Sequence, residues 1–373
     1  ELTARTVGGV ARPLAYDDAG NLSREGPESG GARTVYVHDA WNRLVSTFME
    51  DDSEFPSTVI LISANAYNGL HWRTRNSQLS TSPSVTRQFC YSADWQVLAE
   101  HVHVGVATST RAHNYVLQTI YGPRYIDEAL MRVVKIPKGV PGNPGTPVAP
   151  GALDGPPDQW TFGGNVLPAL YYHLTDAQFS TIAMIDTGLK PQLWERVRYT
   201  AYGEATHRYG ADVDSSGSVT SADQTVITGL SGTGISSASY NVAADFNRDG
   251  VINSSDSTAV GTFIGRTAVG AGRISDANRT HSAGPGPDNQ NGYCGYVFDR
   301  ATSMYQVRFR WYSPVLGRWL QRDPAGYVDG VSHYQFVRGR STSMLDPMGL
   351  CGCDEPEVTR TPGVDQPSRD TVF

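Results

Sequence analysis

The feature that most constrains this chain is a short turn that keeps returning. It reads Tyr16-Asp17-Asp18-Ala19-Gly20-Asn21-Leu22, then His38-Asp39-Ala40-Trp41-Asn42-Arg43-Leu44, then Tyr67-Asn68-Gly69-Leu70, then Tyr91-Ser92-Ala93-Asp94-Trp95-Gln96-Val97. A period of roughly 25 residues is one supersecondary unit, too small to bury its own apolar face, so successive units must stack on their neighbours. The stretches between turns alternate or are β-branched: Thr34 to His38, Leu44 to Phe48, Thr58 to Ile62, Val97 to Val104, Tyr115 to Tyr121, Thr181 to Ile185, Leu193 to Tyr199 and Tyr305 to Tyr312. They read as strands, and the series as hairpin after hairpin. With 39 Gly, 22 Pro and 19 Tyr against 18% charged residues, the composition also favours many short strands over helices. The expected fold is mainly β.

Two segments interrupt the pattern. Lys138 to Asp158 carries Pro or Gly at nearly every other position, which excludes a helix or central strand and predicts an exposed loop. Gly284 to Gly292 reads as a shorter version of it. The net charge of −7 gives no basic field for nucleic acid or anionic lipid, so neither is expected as a partner. Nor does any apolar run reach the ~18 residues of a membrane helix. The start at Glu1, without Met or leader, reads as a piece of a longer protein. Cys90, Cys294, Cys351 and Cys353 form no CxxC pair and no zinc spacing with histidine, which leaves the redox compartment open. None of the nine histidines lies in a nucleophile motif such as GxSxG.

Six Asp and one Arg fall between Gly210 and Gly265, so most of the net charge belongs to one segment. Within it Asp212-Val213-Asp214-Ser215-Ser216-Gly217-Ser218-Val219-Thr220-Ser221-Ala222-Asp223 is matched by Asp245-Phe246-Asn247-Arg248-Asp249-Gly250-Val251-Ile252-Asn253-Ser254-Ser255-Asp256. Both place oxygen side chains at loop positions 1, 3, 5, 9 and 12 and Gly at 6, a pattern that supplies calcium with hard oxygen ligands around a sharp turn. One such loop is often only an Asp/Ser/Gly surface turn; two in register point to metal. Each runs into a short apolar-periodic stretch (Val226, Ile227, Leu230; Val260, Phe263, Ile264) that predicts one amphipathic helix.

The aromatic-Asp-turn repeat resembles the YD repeat of Rhs proteins and related toxin-complex proteins. Tyr171 to Ala177 and Tyr199 to Glu204 look like the last repeats before that family's repeat-associated core. Arg308-Phe309-Arg310-Trp311-Tyr312-Ser313-Pro314-Val315-Leu316-Gly317-Arg318-Trp319-Leu320-Gln321-Arg322-Asp323-Pro324 resembles the core itself. The likeness covers about residues 10 to 137, 168 to 206 and 290 to 350. His38 and Ser92 depart from the repeat, which usually has Tyr and Asp there. The resemblance implies a β-sheet spiralling into a hollow shell that its C-terminal part plugs. The duplicated loop-helix units resemble a type I dockerin. That likeness implies two calcium ions, bound by the side chains of Asp212, Asp214, Ser216 and Asp223, and of Asp245, Asn247, Asp249 and Asp256. Ser218 and Val251 would add backbone carbonyls, with Thr220 and Asn253 acting through water. Loop 1, with serine at position 5, is expected to bind more weakly than loop 2. A cohesin-type protein partner is implied.

In Rhs proteins the core resembles an intramolecular aspartyl protease that cuts after the Leu of DPxGL. Carried onto Asp346-Pro347-Met348-Gly349-Leu350, this makes Asp323 and Asp346 the dyad, the Leu350–Cys351 bond the target and Arg322 the residue that orients the pair. Two close carboxylates resist joint ionisation, which suits general acid-base work on a peptide bond. In many relatives a toxin follows the cleavage site; the 23 residues from Cys351 to Phe373 have no core-forming pattern.

The expected organisation is therefore YD/Rhs repeats over 1–207 with a Pro/Gly-rich loop at 138–158, a dockerin-like insertion over 208–270, the repeat-associated core over 271–350, and a short tail over 351–373. Two functions are open. One is a secreted or surface bacterial shell protein that cleaves itself after Leu350 and binds a partner through its calcium-loaded module. The other is a non-catalytic surface scaffold in which Asp323 and Asp346 only cap turns.

Overall fold

The structure, a computed structural model, describes residues 2–7, 9–53, 55–80, 84–104, 113–135, 169–186, 193–265, 288–328, 330–350 and 352–354. Residues 138–158, Cys351 and the tail from 355 onward lie outside them. Fifteen strands follow in chain order: β1 (Ala4–Val7), β2 (Val10–Tyr16), β3 (Leu22–Glu25), β4 (Ala32–His38), β5 (Leu44–Asp51), β6 (Thr58–Tyr67), β7 (Arg73–Gln78), β8 (Val85–Tyr91), β9 (Val97–Val104), β10 (His113–Tyr121), β11 (Ala129–Lys135), β12 (Ala169–Thr175), β13 (Thr181–Asp186), β14 (Leu193–Tyr199) and β15 (Ala205–Tyr209). Each pairs with its sequence neighbour in one antiparallel sheet whose order is the chain order. The sheet is open, with β1 and β15 at its two edges; strand does not meet strand to close a barrel.

The repeat is legible in atomic detail at six turns. Asp17, Asp39, Asn68, Ser92, Asp176 and Thr200 occupy equivalent positions, and the side-chain oxygen of each accepts the backbone N–H four residues on. Three residues after each of them the backbone is left-handed: Gly20, Asn42, His71, Trp95, Phe179 and Gly203. Their N–H groups bond back to the carbonyl three residues earlier, at 2.8 to 3.3 Å. This is the three-residue hairpin loop with a left-handed bulge, whose twist suits antiparallel strands. Ser92 thus does the work of the usual Asp with one oxygen, and the departure from the repeat costs the turn nothing in geometry.

The turns also explain where glycine is needed. A Cβ at Gly20 would lie 2.1 Å from Nε of Arg322, and one at Gly203 would lie 2.5 Å from the Tyr293 ring. At His71 and Trp95 the side chains are instead used: both rings pack on Phe309, at 5.5 and 5.1 Å. The row of turns is the surface on which the C-terminal core is mounted.

That core comprises β16 (Val297–Asp299), β17 (Met304–Val307), β18 (Arg310–Ser313) and β19 (Arg318–Trp319) in one small sheet, and β20 (Met344–Leu345) paired with β21 (Cys353–Asp354). Tyr305 to Tyr312, expected as one strand, is the β17–β18 hairpin, broken at Arg308 where φ is +44°. The alternation runs on through a two-residue turn, so periodicity alone does not register the break. Tyr293, Tyr296, Tyr305, Tyr312, Trp319 and Phe336 form its buried aromatic centre. Hydroxyls of the core reach the turns directly: Tyr305 to the carbonyl of Gly203, Tyr312 to Tyr202 and Tyr334 to Gly20, at 2.9, 2.8 and 2.6 Å.

The expectation of an exposed linker at Gly284 to Gly292 fails for its described part. Residues 288–292 are buried, and Asp288 accepts from Nη2 of Arg87 (2.8 Å), from Arg300 (3.1 Å) and from the Tyr115 hydroxyl (2.6 Å). A segment rich in Asn, Gln and Asp is solvated in isolation, but here strand arginines facing the same side supply its partners, a contact no local pattern shows.

Between β15 and residue 288 lie α1 (Ser221–Gly229) and α2 (Ser254–Gly261), each opened by a capping box, at Thr220/Asp223 and Asn253/Asp256. The apolar residues Val219, Ile227, Phe246, Ile252, Val260 and Phe263 of the two loop-helix units join Leu117, Met184 and Trp194 of the sheet in one continuous buried cluster. The module is thus packed on the wall by its own core, with Phe263 edge-on to Trp194 at 5.3 Å.

Candidate functional site

Asp323 and Asp346, 23 residues apart in sequence, are brought to one nitrogen. Nη2 of Arg310 lies 3.0 Å from Asp323 Oδ2 and 3.2 Å from Asp346 Oδ2. Arg310 and Asp346 are each 1% exposed and Asp323 8%. β18 fixes the guanidinium, which lies 4.3 Å over the Trp319 ring. A cation between two buried carboxylates offsets their mutual repulsion and the cost of burying each. The remaining oxygens are also used: Asp323 Oδ1 accepts from Ala325 N at 2.8 Å, and Asp346 Oδ1 from Leu350 N at 2.9 Å.

The DPMGL segment is the tip of the β20–β21 hairpin, in which Met344 pairs with Asp354 and Leu345 with Cys353. Three successive carbonyls of the tip are taken by three successive residues of the β17–β18 hairpin. Pro347 O accepts from Arg308, Met348 O from Phe309 N at 3.3 Å, and Gly349 O from Arg310 Nε. Gly349 has φ +68°, and a Cβ there would sit 2.6 Å from the Val307 carbonyl, so only glycine lets the tip lie this close. Arg322, expected to orient the pair, has its Nε 3.3 Å from the Tyr334 hydroxyl, on the side of Gly20. The arginine that joins the carboxylates is Arg310. Its signal in the sequence was a charge inside an otherwise apolar aromatic strand, Phe309-Arg310-Trp311-Tyr312.

The acidic loops form a second centre. In loop 1 the ligand oxygens of Asp212, Asp214 and Asp223 lie within 4.8 Å of one another. Gly217 N donates to Asp212 Oδ2 at 3.0 Å, and Asp223 accepts from Val213 N and Thr220 N at 2.6 and 2.8 Å. Asp212 is 1% exposed, and its Oδ1 is buried with no hydrogen-bond partner among the described residues. An unpartnered buried carboxylate oxygen beside two more carboxylates is the donor set calcium takes, and the residues present fit the ion. Burial raises the Asp212 pKa, against the Gly217 N–H and Arg208 and together with side-chain hydrogen bonding to Asp214 and the charge of Asp223. The Ser216 N–H and hydroxyl hold Asp214 below the usual range. Ser216 Oγ, at loop position 5, donates to the Ser218 carbonyl at 3.0 Å, bringing two further expected donors together. Arg208 of β15, not singled out from the sequence, bonds Asp212 Oδ2 at 3.2 Å and so ties the loop to the wall.

Loop 2 repeats the frame. Gly250 N bonds Asp245 Oδ2 at 2.9 Å, while Asp256 accepts from Asn247 N and Asn253 N at 3.0 and 2.9 Å. Here Asp245 Oδ1 is taken by Asp249 N at 3.1 Å, and Oδ2 also by the Tyr240 hydroxyl, whose pKa that bond pushes up to about 12. Val251 N bonds Asp249 Oδ1 at 3.0 Å, and the Asn253 amide the Val251 carbonyl at 3.1 Å. The two loops brace each other's helices: Gly232 after α1 donates to Ile252 O, and Gly265 after α2 donates to Val219 O, both at 2.8 Å.

Fold and sites together define a strand-repeat wall protein that mounts a buried-carboxylate core on its turns and a calcium-loop module on its last strands. Comparison with known proteins finds likenesses to parts of the chain. Residues 210–264 match the dockerin type I domain. The chain is 42% identical over 72 residues to toxin subunit YenC2 of Yersinia entomophaga, a match covering 19% of this chain and 7% of that protein. It is 35% identical over 72 residues to a probable deoxyribonuclease, RhsB, of Dickeya dadantii, covering 19% and 5%. Among solved structures, that of TcdB2-TccC3-Cdc42 is similar with a TM-score of 0.41 at 15% identity, covering 91% of this chain and 15% of that one. The matched segments thus span less than a tenth of these two sequence relatives. The chain thus carries a dockerin type I domain, a domain type that binds calcium, and over short segments it is similar to a Yersinia toxin subunit and to an Rhs protein. No helix among the described residues is long and apolar enough to cross a membrane.

Proposed function

We propose that this chain is the self-processing end of a secreted or surface-displayed bacterial shell protein, which cuts itself between Leu350 and Cys351 and takes a cohesin-type partner through its calcium-loaded module. The observation that carries the cleavage reading is the convergence of Asp323 and Asp346 on Arg310, with Asp346 bonded to the Leu350 N–H. One carboxylate accepts a proton from a water molecule as the water oxygen attacks the Leu350 carbonyl carbon. The C–N bond then breaks, its electron pair leaves on the Cys351 nitrogen, and that nitrogen takes a proton from the dyad. The products are a carboxylate on Leu350 and an amine on Cys351. Arg310 balances charge through these steps and holds the Gly349 carbonyl, fixing the bond against the pair.

Two calcium ions are assigned, one to each loop. At loop 1 the ion supplies the positive charge that lets Asp212, Asp214 and Asp223 share one centre. The scaffold reading has its own support in the same arginine, because a buried guanidinium shared by two carboxylates also staples a hairpin. Asp323→Asn separates the two. N-terminal sequencing of the processed wild-type chain should begin at Cys351, and the variant should stay intact while keeping the wild-type melting temperature within a few degrees. A cut variant, or an uncut wild type, favours the scaffold.

A further inference from the structure

The β17–β18 turn that grips the DPMGL tip is itself held by the wall. Arg308 donates through Nη1 and Nη2 to Asp127 Oδ2 and Oδ1, at 2.9 and 2.7 Å, a two-pronged pair whose side chains are 7% and 12% exposed. Asp127 belongs to the loop between β10 and β11, closed by Gly122 N on Glu128 O at 2.8 Å and by Arg124 on Glu128. The turn at residues 293–295 is seated on the same loop, since a Cβ at Gly295 would lie 2.2 Å from the Asp127 carbonyl. Arg308 Nη1 is shared between Asp127 and the carbonyl of Pro347. Its left-handed backbone is an uncommon conformation for a residue with a side chain.

Building on the self-cleavage reading, we propose that Asp127 is a positioning residue for the cut, acting through Arg308 to aim the Leu350–Cys351 bond at the carboxylate pair. One oxygen of Asp127 aligns the nitrogen that holds Pro347, and the next two residues, Phe309 and Arg310, hold Met348 and Gly349 in step. A strand-connecting loop of the repeat wall thereby sets the register of the cleavage tip. Cleavage becomes conditional on the β10–β11 unit being in place, and a chain whose wall has not assembled stays whole.

The test is a time course of self-cleavage after a short pulse of cell-free synthesis, followed by intact mass, for the wild type, Asp127→Asn and Asp127→Glu. Asp127→Asn keeps the size but offers one acceptor oxygen, and the rate constant should fall about 10- to 100-fold, the usual cost of a misaimed reacting group. The reaction should still run to the wild-type end point, and Asp127→Glu should recover most of the rate. A purely structural role would instead lower the fraction cut and leave its rate unchanged, and that result, or an unchanged time course for Asp127→Asn, overturns the proposal. A wild type that never cuts defeats the self-cleavage reading and this one with it, whereas a wild type and Asp127→Asn that cut alike defeat this one alone.

Discussion

Phe263→Ala tests whether the calcium module and the repeat wall are one folding unit. Phe263 is 4% exposed and stands edge-on to Trp194 at 5.3 Å and to Phe246 at 5.5 Å, so it joins the module's core to the sheet's. Truncating a buried Phe costs about 3–5 kcal/mol, of which each edge-to-face pair accounts for about 0.5–1.5. Calcium at a hundred times its dissociation constant adds about 2.7 kcal/mol to whatever unit it binds. In the wild type both quantities should act on the same transition, because Val219, Ile252 and Val260 share a cluster with Leu117, Met184 and Trp194. Calorimetry with calcium and with chelator should therefore show the sheet's own unfolding moving with the metal. In Phe263→Ala that shift should vanish from the sheet and remain only in a smaller, separate module transition. A wild type whose sheet melts at the same temperature with and without calcium would refute the shared core.

Two further outcomes follow from the same geometry. His173 of β12 is buried, with Nδ1 3.1 Å from Thr181 Oγ1 and Nε2 without a partner among the described residues. Burial, reinforced by the nearby Arg132, lowers its pKa from 6.5 to about 3. The fold thus binds this proton later than the unfolded chain does, so its contribution is complete above pH 6.5 and is lost as the pH falls below it, by about 2 kcal/mol at pH 5. His173→Gln should flatten the urea-denaturation midpoint between pH 7 and 5; an equal slope in both proteins counts against the assignment. Asp212→Ala removes the unpartnered oxygen of loop 1 and should reduce the calcium stoichiometry in titration calorimetry by one site, whereas an unaltered stoichiometry would show that loop 1 holds no ion.

The turns were legible because their chemistry is local. An oxygen side chain that accepts the N–H four residues on, followed by a left-handed position, leaves the same mark on six separate stretches, and even Ser92 and Thr200 can be read once the role rather than the residue is followed. The two acidic loops were legible for the same reason, each being a twelve-residue unit with its oxygen side chains in order. Arg310 and Asp127 were not, since each acts on a residue brought in by the fold: Asp346 from 36 positions away and Arg308 from 181. Residues 288–292 misled for the complementary reason. Their polarity looks solvated until Arg87, Tyr115 and Arg300 are set around Asp288.

The most direct measurement is the intact mass of the purified wild-type chain beside Asp346→Asn. Asp346 both meets Arg310 and accepts the Leu350 N–H, so the variant leaves the hairpin its shape and removes the carboxylate. Self-cleavage by the carboxylate pair should give a wild-type product ending at Leu350 that is absent from Asp346→Asn. Both proteins at full-length mass, or both cut, would contradict it.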